Sequence, residues 1–506
     1  DVDGCVPLNI LGGNLNPDAL EFVQFEQITQ SELKQRVFNV NIAGEVVELP
    51  AGWVEIVAGY ETRRERGNFR PAGGLNINVT REEQIISTQG EISTDEGFFE
   101  LLLPAISPEM TFGDGLLGFT VIDSVTFENS ARVVDNSLSG RDSVWSSGGR
   151  IAFGEFLSDL TIRGNFTQAT RSPSITELFT PESNSTTFGE DPCDFRFVNE
   201  GPAPANRRAN CMAIGIDPDF QSNIVNVEVE GSVSGDVNLD VERTDSWTVG
   251  GVFTPRWIPG LTLSADYIQI EIKNRIASLT LTQQLEACFD QDPSSFDPNA
   301  GICARIQRDA MGEIIDFQTG FANAANSIFK GIQFESQYNF NLTDVVEPLA
   351  PSWANFDWGQ INMSMRAFHR MTNLVSVVGE EANRTTGSFG EPKWNGTFDL
   401  TWTRGPARFF WRVEWQDSAE FDPQGDNFFA DEQGNIVTDT SARIINNAAL
   451  SFTLFDHITP QISVDNIFNR EASVLQRAAR IGTPGGHFGL DEIFGRTFRF
   501  RVTSQF

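Results

Sequence analysis

The length over which this chain alternates between apolar and polar residues limits its fold more than any other feature. Trp394, Gly396, Phe398, Leu400 and Trp402 share one face of a strand, opposite Asn395, Thr397, Asp399, Thr401 and Thr403. Ile332, Phe334, Ser336, Tyr338, Phe340 and Leu342 oppose Gln333, Glu335, Gln337, Asn339 and Asn341. Phe409, Trp411, Val413 and Trp415 oppose Arg408, Arg412, Glu414 and Gln416, with Phe410 the exception. The chain ends in the same way. Phe498, Phe500, Val502 and Phe506 alternate with Thr497, Arg499, Arg501, Thr503 and Gln505, and Ser504 is the polar member of the apolar face. A side-chain period of two is the signature of a strand. Soluble strands run to about 5–6 residues. These run to about 10 or more, the length that crosses a bilayer at a tilt. Trp and Tyr fall near the strand ends, where a membrane interface would lie.

The same pattern, followed along the chain, gives 15 strands: 34–44, 51–64, 90–106, 113–134, 141–157, 158–170, 240–256, 260–274, 327–342, 355–370, 391–404, 406–417, 441–455, 457–469 and 496–506. One strand breaks phase. Leu261, Leu263 and Ala265 share a face, and then Ile268, Ile270 and Ile272 take the other. A β-bulge near Tyr267 explains this, as does a strand that continues out of the membrane into a loop hairpin. Connections alternate between short (Arg404-Gly-Pro406, Pro255–Gly260) and long (65–89, 171–239, 275–326, 371–390, 418–440, 470–495). Loops of that size are abnormal in a soluble domain, whereas short turns at one end and long loops at the other are the outer-membrane pattern. No run of 18 or more apolar residues offers a transmembrane helix, which leaves a barrel open because its strands alternate. The net charge of −33 argues against nucleic acid as a partner. The expected class is therefore all-β: a transmembrane antiparallel β-barrel.

Arg163-Gly-Asn-Phe-Thr-Gln-Ala-Thr-Arg171 runs into Ser172-Pro-Ser-Ile-Thr-Glu-Leu-Phe179. Gly235-Asp-Val-Asn-Leu-Asp-Val-Glu242 then leads into Arg243-Thr-Asp-Ser-Trp-Thr-Val-Gly-Gly251, and Val464-Asp-Asn-Ile-Phe-Asn-Arg470 precedes the closing strand Gly495–Phe506. In this order the set resembles the barrel of TonB-dependent outer-membrane receptors, over residues 34–506. The chain departs from the family at Val237 and Val241, where prolines are usual, and at Asn469, where an Asp is usual. The resemblance implies a 22-stranded barrel, an N-terminal plug and a short TonB box that engages the inner-membrane energy transducer. Neither the plug nor the other seven strands is recognisable here. If the last strand ends in the periplasm, counting back puts residues 1–33 in an extracellular loop segment. The plug and first strands are then expected on a second chain or fragment, with outer-membrane lipid and lipopolysaccharide around the wall. Unclosed edges are intolerable in lipid.

In the oxidising cell-surface compartment so implied, Cys193 with Cys211 and Cys288 with Cys303 read as local, loop-stapling disulfides, leaving Cys5 over. His369, His457 and His487 are scattered without metal-ligand spacing, and no catalytic motif is present, so no enzyme is expected. No cofactor is expected either. Asp290, Asp292 and Asp297 are the one weak candidate set for Ca2+. Arg163, Arg171, Arg408, Arg412, Arg499 and Arg501 face the lumen. They either handle anions and contact a plug or, the reading favoured here, pair with wall carboxylates such as Asp399 and Glu414. The resemblance implies active uptake of a scarce nutrient, with loops 171–239 and 275–326 as lids. Phe188, Phe195, Phe289, Phe428 and Phe429 either stack on sugars or form the loops' own small cores. An oligosaccharide is favoured over a ferric siderophore, because stapled loops after a Cys-Val-Pro-Leu segment resemble receptors associated with glycans. The rival reading is a passive porin, which needs a complete even-stranded barrel.

Overall fold

The computed structural model describes residues 16–23, 28–71, 85–110, 121–154, 159–353, 356–377, 382–388, 390–420, 439–455, 457–471 and 495–504. Among these residues, fifteen wall strands form a single antiparallel meander. They are β1 (Gln30–Leu49), β2 (Gly52–Arg70), β3 (Thr88–Ile106), β4 (Ile122–Asn136), β5 (Gly140–Phe153), β6 (Leu160–Arg171), β7 (Glu242–Phe253), β8 (Leu261–Leu279), β9 (Ile314–Asn341), β10 (Gln360–Val377), β11 (Trp394–Arg404), β12 (Ala407–Gln416), β13 (Arg443–Phe452), β14 (Ile458–Asp465) and β15 (Thr497–Ser504). Each pairs with the next, from β1 to β15. The architecture is all-β, as the alternation requires.

The register shows why the alternation runs so long. Tyr60, Phe99, Phe127, Trp145, Trp247, Met365, Leu450 and Phe500 all lie on one face of the sheet, and all are exposed. In water such a band would aggregate; in a bilayer it is the lipid-facing surface. Rings are grouped at two heights. Phe166 lies 5.0 Å from Trp145 and 4.5 Å from Trp247. Phe253 lies 5.6 Å from Trp257 at the other end of β7. The six steps from Trp247 to Phe253 span about 20 Å along the strand.

Two sequence expectations need correction. The pairing of β8 runs unbroken through Tyr267, and the register shifts instead around Arg275, beside Asn274 at φ 54°. The apolar switch at Ile268 is therefore not a bulge: those isoleucines lie on the lumen face. The hairpin reading was the right one, since β8 and β9 continue past the membrane to Leu279 and back from Ile314, converting both ends of the expected loop 275–326 into strand. At the start of the chain, strand begins at Gln30 rather than 34, after a helix at Pro17–Val23. Cys5, His487, Phe506, Phe428 and Phe429 lie outside the described residues.

Candidate functional site

The long-loop end carries a folded module built from the β6–β7 connection, residues 172–241, and the β8–β9 connection, residues 280–313. Each loop contributes a helix, Pro204–Ala213 and Leu281–Phe289. In the second helix Leu281, Leu285, Cys288 and Phe289 recur at helical spacing and are all buried. Its start is fixed by a capping box, in which the Thr280 hydroxyl accepts from the Gln283 N–H and Gln283 returns the bond. The Cys193–Cys211 and Cys288–Cys303 disulfides enter the same core, together with Ile216, Ile224, Val229, Ile314 and Phe317. The two loops thus share one hydrophobic centre.

Buried ion pairs join them as well. Arg207, 1% exposed, donates through Nε and Nη2 to the two oxygens of Asp290, each at 2.7 Å. Burial opposes its charge, and Asp290 with Glu286 more than offsets that, so its pKa lies above the ordinary range. Arg308 binds the fully buried Asp191 through two bonds of 2.8 Å and stands over the Phe289 ring at 5.2 Å. Arg196 binds Asp194 in the same bidentate way. Burial raises the pKa of Asp194, but Arg196 and the N–H groups of Arg196 and Ser222 together bring it below its ordinary value. A cleft of about 380 Å3 opens beside the second disulfide, lined by Ile216, Phe289, Pro298, Asn299, Arg308 and Met311 among others.

Where the module meets the wall, two of the motif segments dock on each other. Arg171 donates to Glu242 at 2.7 and 2.8 Å and to Glu177 at 2.9 Å. Glu242 also accepts the Ile276 N–H at 2.8 Å, which reaches β8. Ser174 and Glu177 form a capping box. The N–H groups of Gly235 and Asp236 donate to the carbonyls of Thr180 and Glu177 at 3.1 and 3.0 Å. A Cβ on Gly235 would come within 2.7 Å of the Leu178 carbonyl oxygen, so only glycine fits there. Ile92, Ile175, Leu178, Leu239 and Ile276 close a small apolar cluster around this latch. In the third motif, buried Asn466 closes a turn on the N–H and carbonyl of Arg470, and Asn469 accepts from the Arg496 N–H.

The structure places the remaining sequence candidates as follows. Arg163 pairs with Asp266 at 2.8 and 2.7 Å, Arg412 with Asp399 at 2.7 and 2.8 Å, and Arg499 with Asp465 at 3.0 Å. Among the described residues Arg408 and Arg501 form no ion pair. Phe188 and Phe195 are exposed on the module, with Arg196 over Phe195 at 5.6 Å. Phe289 is a core residue, 3% exposed, as a member of the loops' own core rather than an open stacking surface. The three loop aspartates do not converge. Asp290 is held by Arg207, Asp292 by Ser294 and Asp297 by the Asn299 N–H, and no metal-holding group of three or more His, Cys, Asp or Glu occurs among the described residues. Sequence reading missed Arg207, Asp191, Asp194 and Arg308. Their only signal is adjacency to the cysteines.

A family model described as "TonB dependent receptor-like, beta-barrel" matches residues 23–467. Among solved structures, a ferric enterobactin receptor from Pseudomonas aeruginosa superposes with a TM-score of 0.56 at 12% identity over 94% of this chain and 54% of that one. The siderophore receptor PirA from Acinetobacter baumannii gives 0.53 at 12% identity, over 94% and 55%. The outer membrane transporter YddB from Escherichia coli gives 0.53 at 8% identity, over 94% and 55%. The chain thus spans about half the length of the structures it matches. No curated protein matches it. With a lipid-facing band, a polar lumen wall and a family match across most of its length, the chain belongs to the β-barrels of the TonB-dependent receptors, proteins of the Gram-negative outer membrane.

Proposed function

We propose that this chain supplies wall and extracellular lid for energy-driven uptake of a neutral oligosaccharide, powered by a TonB-type transducer. The family match supports the uptake role. The charge of the lid carries the choice of substrate. Residues 172–241 and 280–313 contain 18 carboxylates and five arginines, with no lysine. Four of those arginines are ion-paired within the module, and Arg208 is bonded to Asn199. Such a surface repels an anionic ferric chelate and leaves the affinity of a neutral ligand untouched. Exposed Phe188 and Phe195 offer rings on which sugar faces can stack. A plug filling the lumen would meet Arg408 and Arg501 at the short-turn end of the polar wall.

The second reading, a ferric siderophore, draws on the printed names of the superposed receptors, which at 12% identity speak for the fold. Calorimetric titration of the receptor with neutral glucan oligosaccharides and with a ferric catecholate separates the two. Saturable oligosaccharide binding that weakens in F188A and F195A supports the proposal. Binding of the ferric catecholate alone overturns it.

A further inference from the structure

Among the described residues, one connection at the short-turn end folds into a helix where others are tight turns. Arg404 and Ala407 are joined by two residues, and β1 and β2 likewise. The β9–β10 connection instead folds into a helix, Leu342–Leu349, followed by a tight turn at Pro351–Trp353. At 100° per residue Leu342, Val345, Val346 and Leu349 fall within one arc of the helix, and Asp344 and Glu347 lie opposite. No residue of this helix is buried. Leu349 is 81% exposed and Trp353 56%.

The segment is nevertheless built, not loose. Trp353 and Trp358 stack at 5.3 Å, and Phe356 meets Trp358 edge-on at 4.7 Å. Arg404 stands over the Phe356 ring at 3.9 Å. The Thr343 hydroxyl accepts from the Trp358 N–H at 3.1 Å. The Nε1 of Trp402, a residue of the lipid-facing side of β11, donates to the Trp358 carbonyl at 2.8 Å. Through Trp402, and through Tyr338 and Phe340 stacked at 4.6 Å just before the helix, the apolar arc continues the lipid-facing band of the wall.

We infer that this helix is a foot lying in the headgroup boundary of the periplasmic-side phospholipid leaflet. Val345, Leu349 and Trp353 would be dipped into the acyl edge, with Asp344 and Glu347 in water. The occupant is lipid rather than a protein because the apolar arc is continuous with the lipid-facing band and ringed by Trp and Phe, the side chains that favour a bilayer interface. The foot fixes the height and tilt of the β8–β11 sector of the barrel.

The inference rests on the reading of the wall as a membrane barrel, so its test carries a wall control. In a Cys5→Ser background, nitroxide labels are placed by L349C, E347C and V249C in the receptor with all of its barrel strands present, reconstituted in phosphatidylethanolamine–phosphatidylglycerol vesicles. Collision rates with oxygen and with a water-soluble nickel chelate are then measured. The expected result is a roughly tenfold preference for oxygen at position 349, as for a side chain about 5–10 Å below the headgroups, and the reverse preference at 347. A label at 349 as open to nickel as that at 347 overturns the foot. So does one closed to both reagents, which would mean a protein covers it. A label at 249 without an oxygen preference would overturn the membrane-wall reading itself.

Discussion

The wall and the loop module are made from one chain and obey opposite rules. The wall turns its large apolar side chains outward. Phe498 and Phe500 are each 70% exposed, and what holds the strands together is the backbone ladder. The module does the reverse. Leu285, Cys288, Phe289 and Phe317 are buried, two disulfides cross the core, and guanidinium–carboxylate pairs are taken out of water. The wall depends on a solvent of lipid; the module carries its own interior. A loop module that must hold a shape outside the membrane needs such an interior, because its chain cannot borrow one from lipid.

The strongest way to break that contrast is Asp290→Ala. It removes the bidentate partner of the buried Arg207 and leaves only the longer contact to Glu286 at 3.2 Å, and removal of one partner of a buried pair costs about 3–5 kcal/mol. Rapid proteolysis within 172–241 and 280–313, with the wall strands intact by mass mapping, is the expected outcome. If β7 and β8 open together with the module, the two regions are not separate cooperative units. Next comes the double substitution of Cys193 and Cys211 by Ser. Its chain separation of 18 residues predicts a loss of about 3 kcal/mol, confined to module amides in hydrogen exchange. The wall has its own test in Val249→Lys, which puts a charge on the lipid face between Trp247 and Phe253. Refolding into vesicles should lose about 2 kcal/mol. An equal loss in a water-exposed loop site would remove the distinction between lipid face and solvent face.

What the sequence disclosed follows the same divide. Each of the 15 wall strands overlaps a stretch that the alternation marks, because on a lipid-facing strand every second residue must be apolar. The upper parts of β8 and β9 were legible only as one of two readings of the phase break at Ile268. There the strands leave the bilayer, so residues such as Ile276 and Phe317 pack on the module and the alternation loses its meaning. The module itself left traces that strand-period reading passes over: Thr280-Leu-Thr-Gln283 and Ser174-Ile-Thr-Glu177 are both capping boxes that announce helices. That the two stapled loops share one core could not be read, since Arg207 and Asp290 lie 83 residues apart and nothing local marks them as partners. The motif segments were legible as a set, but their work was not. The structure shows Arg171, Glu177 and Glu242 bound to one another, a latch between module and wall.

The smallest effect tests that latch. Burial alone would raise the pKa of Glu177, but Arg171 and the Ser174 N–H and hydroxyl together lower it below the ordinary carboxylate value. A carboxylate with a depressed folded pKa stabilises the fold above its unfolded pKa, near 4.3, and that contribution disappears as pH falls through the folded value. The latch is therefore expected to hold between pH 5 and 8, about the range in which both states are ionised, and to loosen below about pH 4. Ser174→Ala removes the cap, a loss of about 1 kcal/mol. It also takes away a bond that keeps Glu177 ionised, so loosening should begin at a higher pH than in the parent. The amides of Gly235 and Asp236, which donate across the latch, report it directly. Their exchange should quicken about fivefold at neutral pH in the variant, while amides of β6 and β7 stay unchanged. Equal exchange in parent and variant across the acid range would mean that the Ser174–Glu177 cap contributes nothing to the latch.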